Sequence, residues 1–430
     1  MSKTNSIVFL WAMLCILLGA QLTNAQVPSG YLSNDQISGS ALGVSDKAAV
    51  VLIHGWNPDG YANKFADGDW PQLVNALSSR LNGSGWKLLL YHWENDASTG
   101  PVLTEIGDGI TGFFNAREAA NNAFLNGRHL AELLNGAAPE LRKVIFIAHS
   151  AGSWAAHRAA SKLLDFNPYV VINVALLDPF IPGVDPSIAT PLDTSLMGQL
   201  DEHSDSARIF RIENYYAIDV ETDFDFDYGQ GGGSRATSQA FNWRSRDINH
   251  RVDYVSTLPA GVYYKSHGGP IRFYADTVAI AGGASTPAGL AFAPWEFTQV
   301  GWYRSLSYEW FLLPRIQAQP QTQTRAVGST ITLGVTATDS RPLYYRWYRN
   351  GVALSATSST YSFTLSEQNT GEYVVCVSNV NGMVFSDKAT VSIDNNIASP
   401  SSLSATPASS SQINLTWIDN SANETGFKVE

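Results

Sequence analysis

Ser150 sits in Ala148-His149-Ser150-Ala151-Gly152, directly after the apolar run VIFI at 144–147 and before a helical pattern at 153–164. Small residues two places before and two after a serine relieve crowding in a sharp strand-to-helix turn. Such a turn lifts the hydroxyl above the sheet edge, and the helix N-terminus beside it stabilises negative charge. The chemistry this predicts is nucleophilic attack on a carbonyl carbon. Ala148 stands where glycine is commoner in such a turn. A helix N-cap serine has the same residue type, and it is the strand–turn–helix setting that favours the nucleophile.

A serine nucleophile needs an oxyanion hole, an acid and a base. The N–H of Ala151, the residue after the nucleophile, is one expected donor. The second is expected at Ile53-His54-Gly55-Trp56, where a strand ends and glycine lets the backbone turn, with the N–H of Trp56 as the donor. For the acid, Leu176-Leu177-Asp178-Pro179 places Asp178 at the end of the next buried strand, and Asp219 follows a later one, RIFRIENYYAID. The base is sought by elimination. His54, His92, His129, His149 and His157 precede Asp178, and His203, His250 and His267 follow it. His267, in KSHGGPIRFYADTVAI, is the loop histidine ahead of a helix and is the first choice, with His250 the alternative.

The elements that must position these residues lie between 26 and 312. AAVVLI (48–53), WKLLLY (86–91), VIFI (144–147) and VVINVALL (170–177) read as buried strands, and 116–136 as a long amphipathic helix. Near-continuous apolar strands alternating with helices predict an α/β class, with a mostly parallel sheet covered on both faces.

Around this core the chain is expected to be modular. Residues 1–25, with Lys3, an apolar stretch and Ala25, have the layout of a secretory signal, which predicts a secreted protein. Residues 313–326 form a linker rich in Gln, Thr and Pro. Residues 327–394 read as short alternating strands with Trp347 mid-strand and Tyr373 two places before Val375, and they resemble an immunoglobulin-like sandwich. Val375 takes the core position often held by cysteine, so Cys376 is read as a bystander. Residues 395–430 resemble a linker and the opening of a fibronectin type III domain, with the strand INLTW ending at Trp417.

Composition narrows the classes. The net charge is −11, against a nucleic-acid binder. Two cysteines, Cys15 and Cys376, exclude a disulfide scaffold and a cysteine-based zinc site. No segment after the signal is apolar and long enough to span a membrane, so no transmembrane anchor is expected.

In order, IHGW, AHSAG, LLDP and SHGG resemble the α/β-hydrolase superfamily, most of all its pancreatic-lipase-like branch. The separations are 28 residues from Ser150 to Asp178 and 89 from Asp178 to His267. The resemblance covers residues 45–282 and implies an α/β-hydrolase fold, a Ser150–Asp178–His267 triad, with Asp178 preferred over Asp219, and a secreted lipase or carboxylesterase working through an acyl-enzyme. The chain departs from that branch in lacking its disulfides and its lipid-facing C-terminal sandwich. The expected partner is an ester or lipid substrate, with cell-surface or polysaccharide contact through the C-terminal modules. A peptidase, a thioesterase and a polyester depolymerase share the same catalytic set. An extracellular binding or adhesion protein with a degenerate hydrolase-like domain is the alternative of a different class.

Two features of 219–262 complete the expectations. Asp223, Asp225 and Asp227 alternate in DVETDFDFDYG and offer oxygen ligands for calcium, although the EF-hand pattern fails at Tyr228 and Ser234; a solvated acidic loop has the same composition. Residues 221–262, with a GQGGGS tract, are read as a lid or as a peripheral insertion.

Overall fold

The structure is a computed structural model. It describes residues 37–100, 109–180, 209–216, 248–251, 268–280, 313–380, 382–394, 398–421 and 426–429. The expected signal segment, the acidic loop and most of the expected lid lie outside those residues. The chain divides into two units between Leu312 and Leu313, and each is described by itself.

In the first unit a seven-stranded sheet has the order β1-β3-β2-β4-β5-β6-β7. These are β1 (Ile37–Gly39), β2 (Ala48–Ile53), β3 (Trp86–Tyr91), β4 (Lys143–His149), β5 (Val171–Leu177), β6 (Ile209–Tyr216) and β7 (Ile248–Arg251). β1 pairs antiparallel with β3 and every other pairing is parallel. All six residues of β2 are buried, as the unbroken run AAVVLI requires of a strand covered on both faces.

Alternate positions sort the two faces. Ala49, Val51 and Ile53 lie level with Val144, Phe146 and Ala148, and these with Ile172, Val174 and Leu176. All nine join one apolar core with residues of α3 (Gly109–Ala137) and α4 (Gly152–Phe166), among them Leu130, Leu134, Trp154 and Leu163. Val50, Leu52, Ile145 and Ile147 alternate with them and are also buried. α1 (Trp70–Leu81) turns Trp70, Leu73, Leu77 and Leu81 inward, a helical spacing, and packs on β3 and on α5 (Gly269–Ile280). The short α2 (Glu94–Ala97) follows β3 and touches α3.

The second unit, 313–430, has strands and no α-helix among its described residues. β8 (Arg315–Ala318) pairs with β11 (Thr336–Thr338), and β10 (Thr330–Gly334) with β14 (Thr360–Thr364). A six-stranded sheet joins β9 (Gln323–Arg325), β12 (Tyr344–Arg349), β13 (Val352–Ala353), β15 (Gly371–Asn379), β16 (Gly382–Phe385) and β17 (Ala389–Ile393). Ile331, Leu333, Trp347 and Val375 are fully buried, and Trp347 lies directly opposite Val375. The Tyr373 hydroxyl donates to the Asn369 carbonyl at 2.5 Å, and the Trp347 indole donates to the Ser358 carbonyl at 2.9 Å. Cys376 is a buried free thiol, and burial pushes its pKa up to about 12. β18 (Ser401–Ser409) and β19 (Gln412–Ile418) form an exposed hairpin that carries Trp417.

These elements correct the expected fold class. Strands hold 38% and helices 26% of the described residues, and the strands lie in five separate sheets. Four of those sheets belong to the second unit and are antiparallel apart from the β9–β17 pair. Strands such as β10, which bury Ile331 and Leu333 on one face only, favour sheet-on-sheet packing over helical cover. The chain as a whole is therefore mixed and rich in strand, and the α/β-hydrolase class is not assigned to it.

Candidate functional site

The expected nucleophile lies at the end of β4. Ser150 has φ 52°, in the left-handed region that non-glycine residues seldom adopt, and is 5% exposed. Its N–H donates to the Leu177 carbonyl of the neighbouring strand at 3.1 Å. Its own carbonyl accepts from the Ser153 N–H at 3.1 Å, which folds the chain straight into α4. The turn therefore runs from strand to helix within two residues.

Two glycines make room for it. A Cβ on Gly152 would collide with the His54 carbonyl oxygen, so only glycine fits at the first position of α4. A Cβ on Gly55 would lie 2.6 Å from the Ser150 Cβ and 3.0 Å from the His149 ring. The loop after β2 is thus pressed directly onto the serine turn, where the sequence places Trp56 and Ala151 as donors. Trp56 is 9% exposed and Ala151 is fully buried as the N-cap residue of α4. The Ala151 N–H has no backbone acceptor among the described residues, as the first N–H groups of a helix require.

Asp178 ends the adjacent strand in the same way. Its φ is 45°, it is 1% exposed, and its N–H donates to the Tyr215 carbonyl at 2.6 Å. His149 lies level with Leu177, so Ser150 and Asp178 leave the same edge of the sheet one residue later.

His267 lies outside the described residues, immediately before Gly268, which precedes α5. Asp219, His203 and the calcium candidates Asp223, Asp225 and Asp227 also lie outside them. His250 lies on β7, with its backbone opposite Tyr215. Among the described residues no three His, Cys, Asp or Glu side chains gather to hold a metal.

The structure adds a network beneath the Gly55 loop that the sequence reading did not single out. His54 is fully buried, and its Nδ1 lies 2.8 Å from the Gly55 carbonyl. Its ring stacks on Trp93 at 5.2 Å, and the Trp93 indole donates to the His54 carbonyl at 2.9 Å. Glu94 lies beside both. Its carboxylate is 3.7 Å from His54 Nε2 and 2.8 Å from His92 Nδ1, and it accepts from the Lys64 N–H at 3.1 Å. Burial works to raise the Glu94 pKa, but the adjacent His54 ring and the hydrogen bond with His92 outweigh it and hold the carboxyl well below the usual range. His92 Nε2 in turn meets the Ser38 hydroxyl at 2.6 Å. The readable signal was a carboxylate two residues after a histidine, His92-Trp93-Glu94, at the end of a strand.

No family model matches the chain, and no curated protein matches it. Solved structures do match. Sidekick-1 immunoglobulin domains 1–5 are 26% identical over 19% of this chain and 18% of that one, with TM-score 0.18. Titin M4 is 21% identical over 19% of this chain and 96% of that one, with TM-score 0.18. Tandem Ig repeats of Dlar are 20% identical over 19% of this chain and 48% of that one, with TM-score 0.17. The chain thus spans about a fifth of the length of the Sidekick-1 structure.

These comparisons correct the family resemblance. The structures named above are immunoglobulin-type proteins, and they are what the chain is shown to resemble in place of a pancreatic lipase. The names lipase and catalytic triad therefore gain no relative to rest on, while immunoglobulin-like is the part of the description the matches share. Among the described residues no helix is long and apolar enough to cross a membrane.

Proposed function

We propose that the first unit is a secreted enzyme that hydrolyses carboxylic esters through Ser150. The observation that carries this is the backbone of Ser150 itself. A serine held at φ 52° between a buried parallel strand and a helix N-terminus costs about 1–2 kcal/mol. Such strain persists where the surroundings enforce it and is concentrated at functional sites. Here Gly55 and Gly152 are shaped around it.

In this reading the Ser150 oxygen attacks the ester carbonyl carbon, and His267 takes its proton. The alcohol departs with a proton returned by the same base, and water then cleaves the acyl-enzyme. Asp178 orients His267, and the N–H groups of Trp56 and Ala151 receive the oxyanion. One such donor is typically worth about 3 kcal/mol.

The test is hydrolysis of p-nitrophenyl esters from two to sixteen carbons by wild type and Ser150→Ala. Turnover lost in the variant supports the proposal and gives the acyl-length preference. Equal rates in both proteins overturn it.

A second reading makes the chain an extracellular binding or adhesion protein whose first unit does not turn over. The favouring observation is that Tyr344, Val352 and Val380 of the second unit stand exposed, at 60%, 68% and 76%. They support this reading to the extent that they form one contiguous apolar surface, the kind that marks contact sites. Retention on a polysaccharide column or on cells by residues 313–430, with no ester turnover by the full chain, is the outcome that favours it.

A further inference from the structure

We infer that Glu94 is a positioning residue that fixes the His54–Gly55–Trp56 loop at the height the Ser150 reaction needs; this rests on the reading of Ser150 as a nucleophile. The loop is the part of the site with the smallest tolerance. Gly55 approaches Ser150 so closely that no side chain fits between them, and the His54 carbonyl closes over Gly152. A displacement of the loop therefore moves the Trp56 N–H relative to the oxyanion directly.

What holds the loop is the corner after β3. Trp93 grips His54 from one side, through the stacked ring and the indole hydrogen bond to its carbonyl. The Trp93 N–H faces His54 Nε2 at 3.4 Å. Glu94 grips it from the other, and it also ties in His92 and the Lys64 N–H of the segment that buries Phe65 against His54. The Glu94 carbonyl accepts from Ser98 Oγ at 2.7 Å and faces Asn57 Nδ2 at 3.5 Å, and Asn57 belongs to the same loop. One residue thus reaches both ends of the 54–57 segment.

A buried carboxylate with three partners is well suited to this. Losing its charge weakens the acceptor for His92 and for the Lys64 N–H and changes the contact with His54, and the loop relaxes by tenths of an ångström while the core stays packed. Glu94 does not touch the reacting atoms in this scheme. It acts through the direction of a backbone N–H.

The experiment compares wild type, Glu94→Gln, His92→Gln, Ser150→Ala and the surface control Glu132→Gln for ester hydrolysis. Binding of phenylboronic acid, whose tetrahedral adduct on Ser150 needs the same N–H donors, is measured alongside. The expected result for Glu94→Gln is a kcat lower by about tenfold or more, KM within about twofold, and boronate affinity falling in step with kcat/KM. His92→Gln, at the exposed end of the network, should lose about three- to tenfold in kcat, and Glu132→Gln nothing. Wild-type kcat and boronate affinity in both network variants, with Ser150→Ala inactive, overturn the inference while leaving the nucleophile standing. If Glu94→Gln loses its circular dichroism signal, His92→Gln decides alone. Equal turnover by wild type and Ser150→Ala removes the underlying reading instead.

Discussion

A methyl group placed on Gly55 would stand 2.6 Å from the Cβ of Ser150, although 95 positions separate the two residues in the chain. That Cβ is fixed to a strained backbone, so the loop and not the serine must give way. Gly55→Ala is expected to lower kcat/KM for a short p-nitrophenyl ester by about a hundredfold, the cost of misplacing a site by about 1 Å. The melting temperature should fall only a few degrees, since overpacking at one position costs about 1–3 kcal/mol. Unchanged hydrolysis with a lowered melting temperature would mean that the loop supplies no donor.

Ser150 predicts the opposite sign for stability. Its φ of 52° is unfavourable for serine and free for glycine. Ser150→Gly should abolish hydrolysis and raise thermal stability, by about 1 kcal/mol after the added freedom of the unfolded chain is counted. The pairing of lost activity with gained stability is read by calorimetry on the two proteins. A destabilised Ser150→Gly would show that the hydroxyl contributes more to the fold than the strain costs.

The strands and the turn around Ser150 were legible for physical reasons that operate locally. AAVVLI and VIFI are buried strands because unbroken apolar runs fit only a strand covered on both sides. AHSAG marked the turn because its small residues answer a steric need within five positions. Of the Glu94 network only the local pair His92 and Glu94 was legible, since residues 38, 54, 64 and 92–94 meet through the parallel register of β2 beside β3. The class of the whole chain was misjudged because the strongest signal came from the first unit alone. Reading Cys376 as a bystander was also incomplete. Val375 does lie against Trp347, but the opposite face is covered as well, and Cys376 is buried there.

The Glu94 carboxyl gives a pH prediction with a definite sign. Its folded pKa is depressed below the unfolded value of about 4.3, so the stability it contributes is complete above that unfolded value. That contribution is lost as pH falls from about 5 through the folded pKa. Wild type should therefore lose melting temperature between about pH 5 and pH 2, and Glu94→Gln should show a shallower slope over the same range. The comparison needs only thermal scans in matched salt. Parallel slopes would mean that Glu94 does not carry the acid sensitivity.

Cys376 supplies a reporter for the second unit. Its thiol is 6% exposed, and burial holds its pKa near 12, so at pH 8 it presents almost no thiolate and little access. Iodoacetamide should leave Cys376 unlabelled for hours in the folded protein and modify it within minutes in denaturant. Tyr373→Phe, which removes the hydrogen bond to the Asn369 carbonyl, costs about 1 kcal/mol and should raise the native-state labelling rate roughly fivefold where opening is in rapid equilibrium. Trp347→Ala, which empties a fully buried site opposite Val375, costs about 3–5 kcal/mol and should make labelling fast without denaturant. Ester turnover in these two variants then reports whether the first unit keeps its activity when the second opens. Equal labelling of wild type and Trp347→Ala would mean that the thiol is reached by a local fluctuation and not by loss of this core.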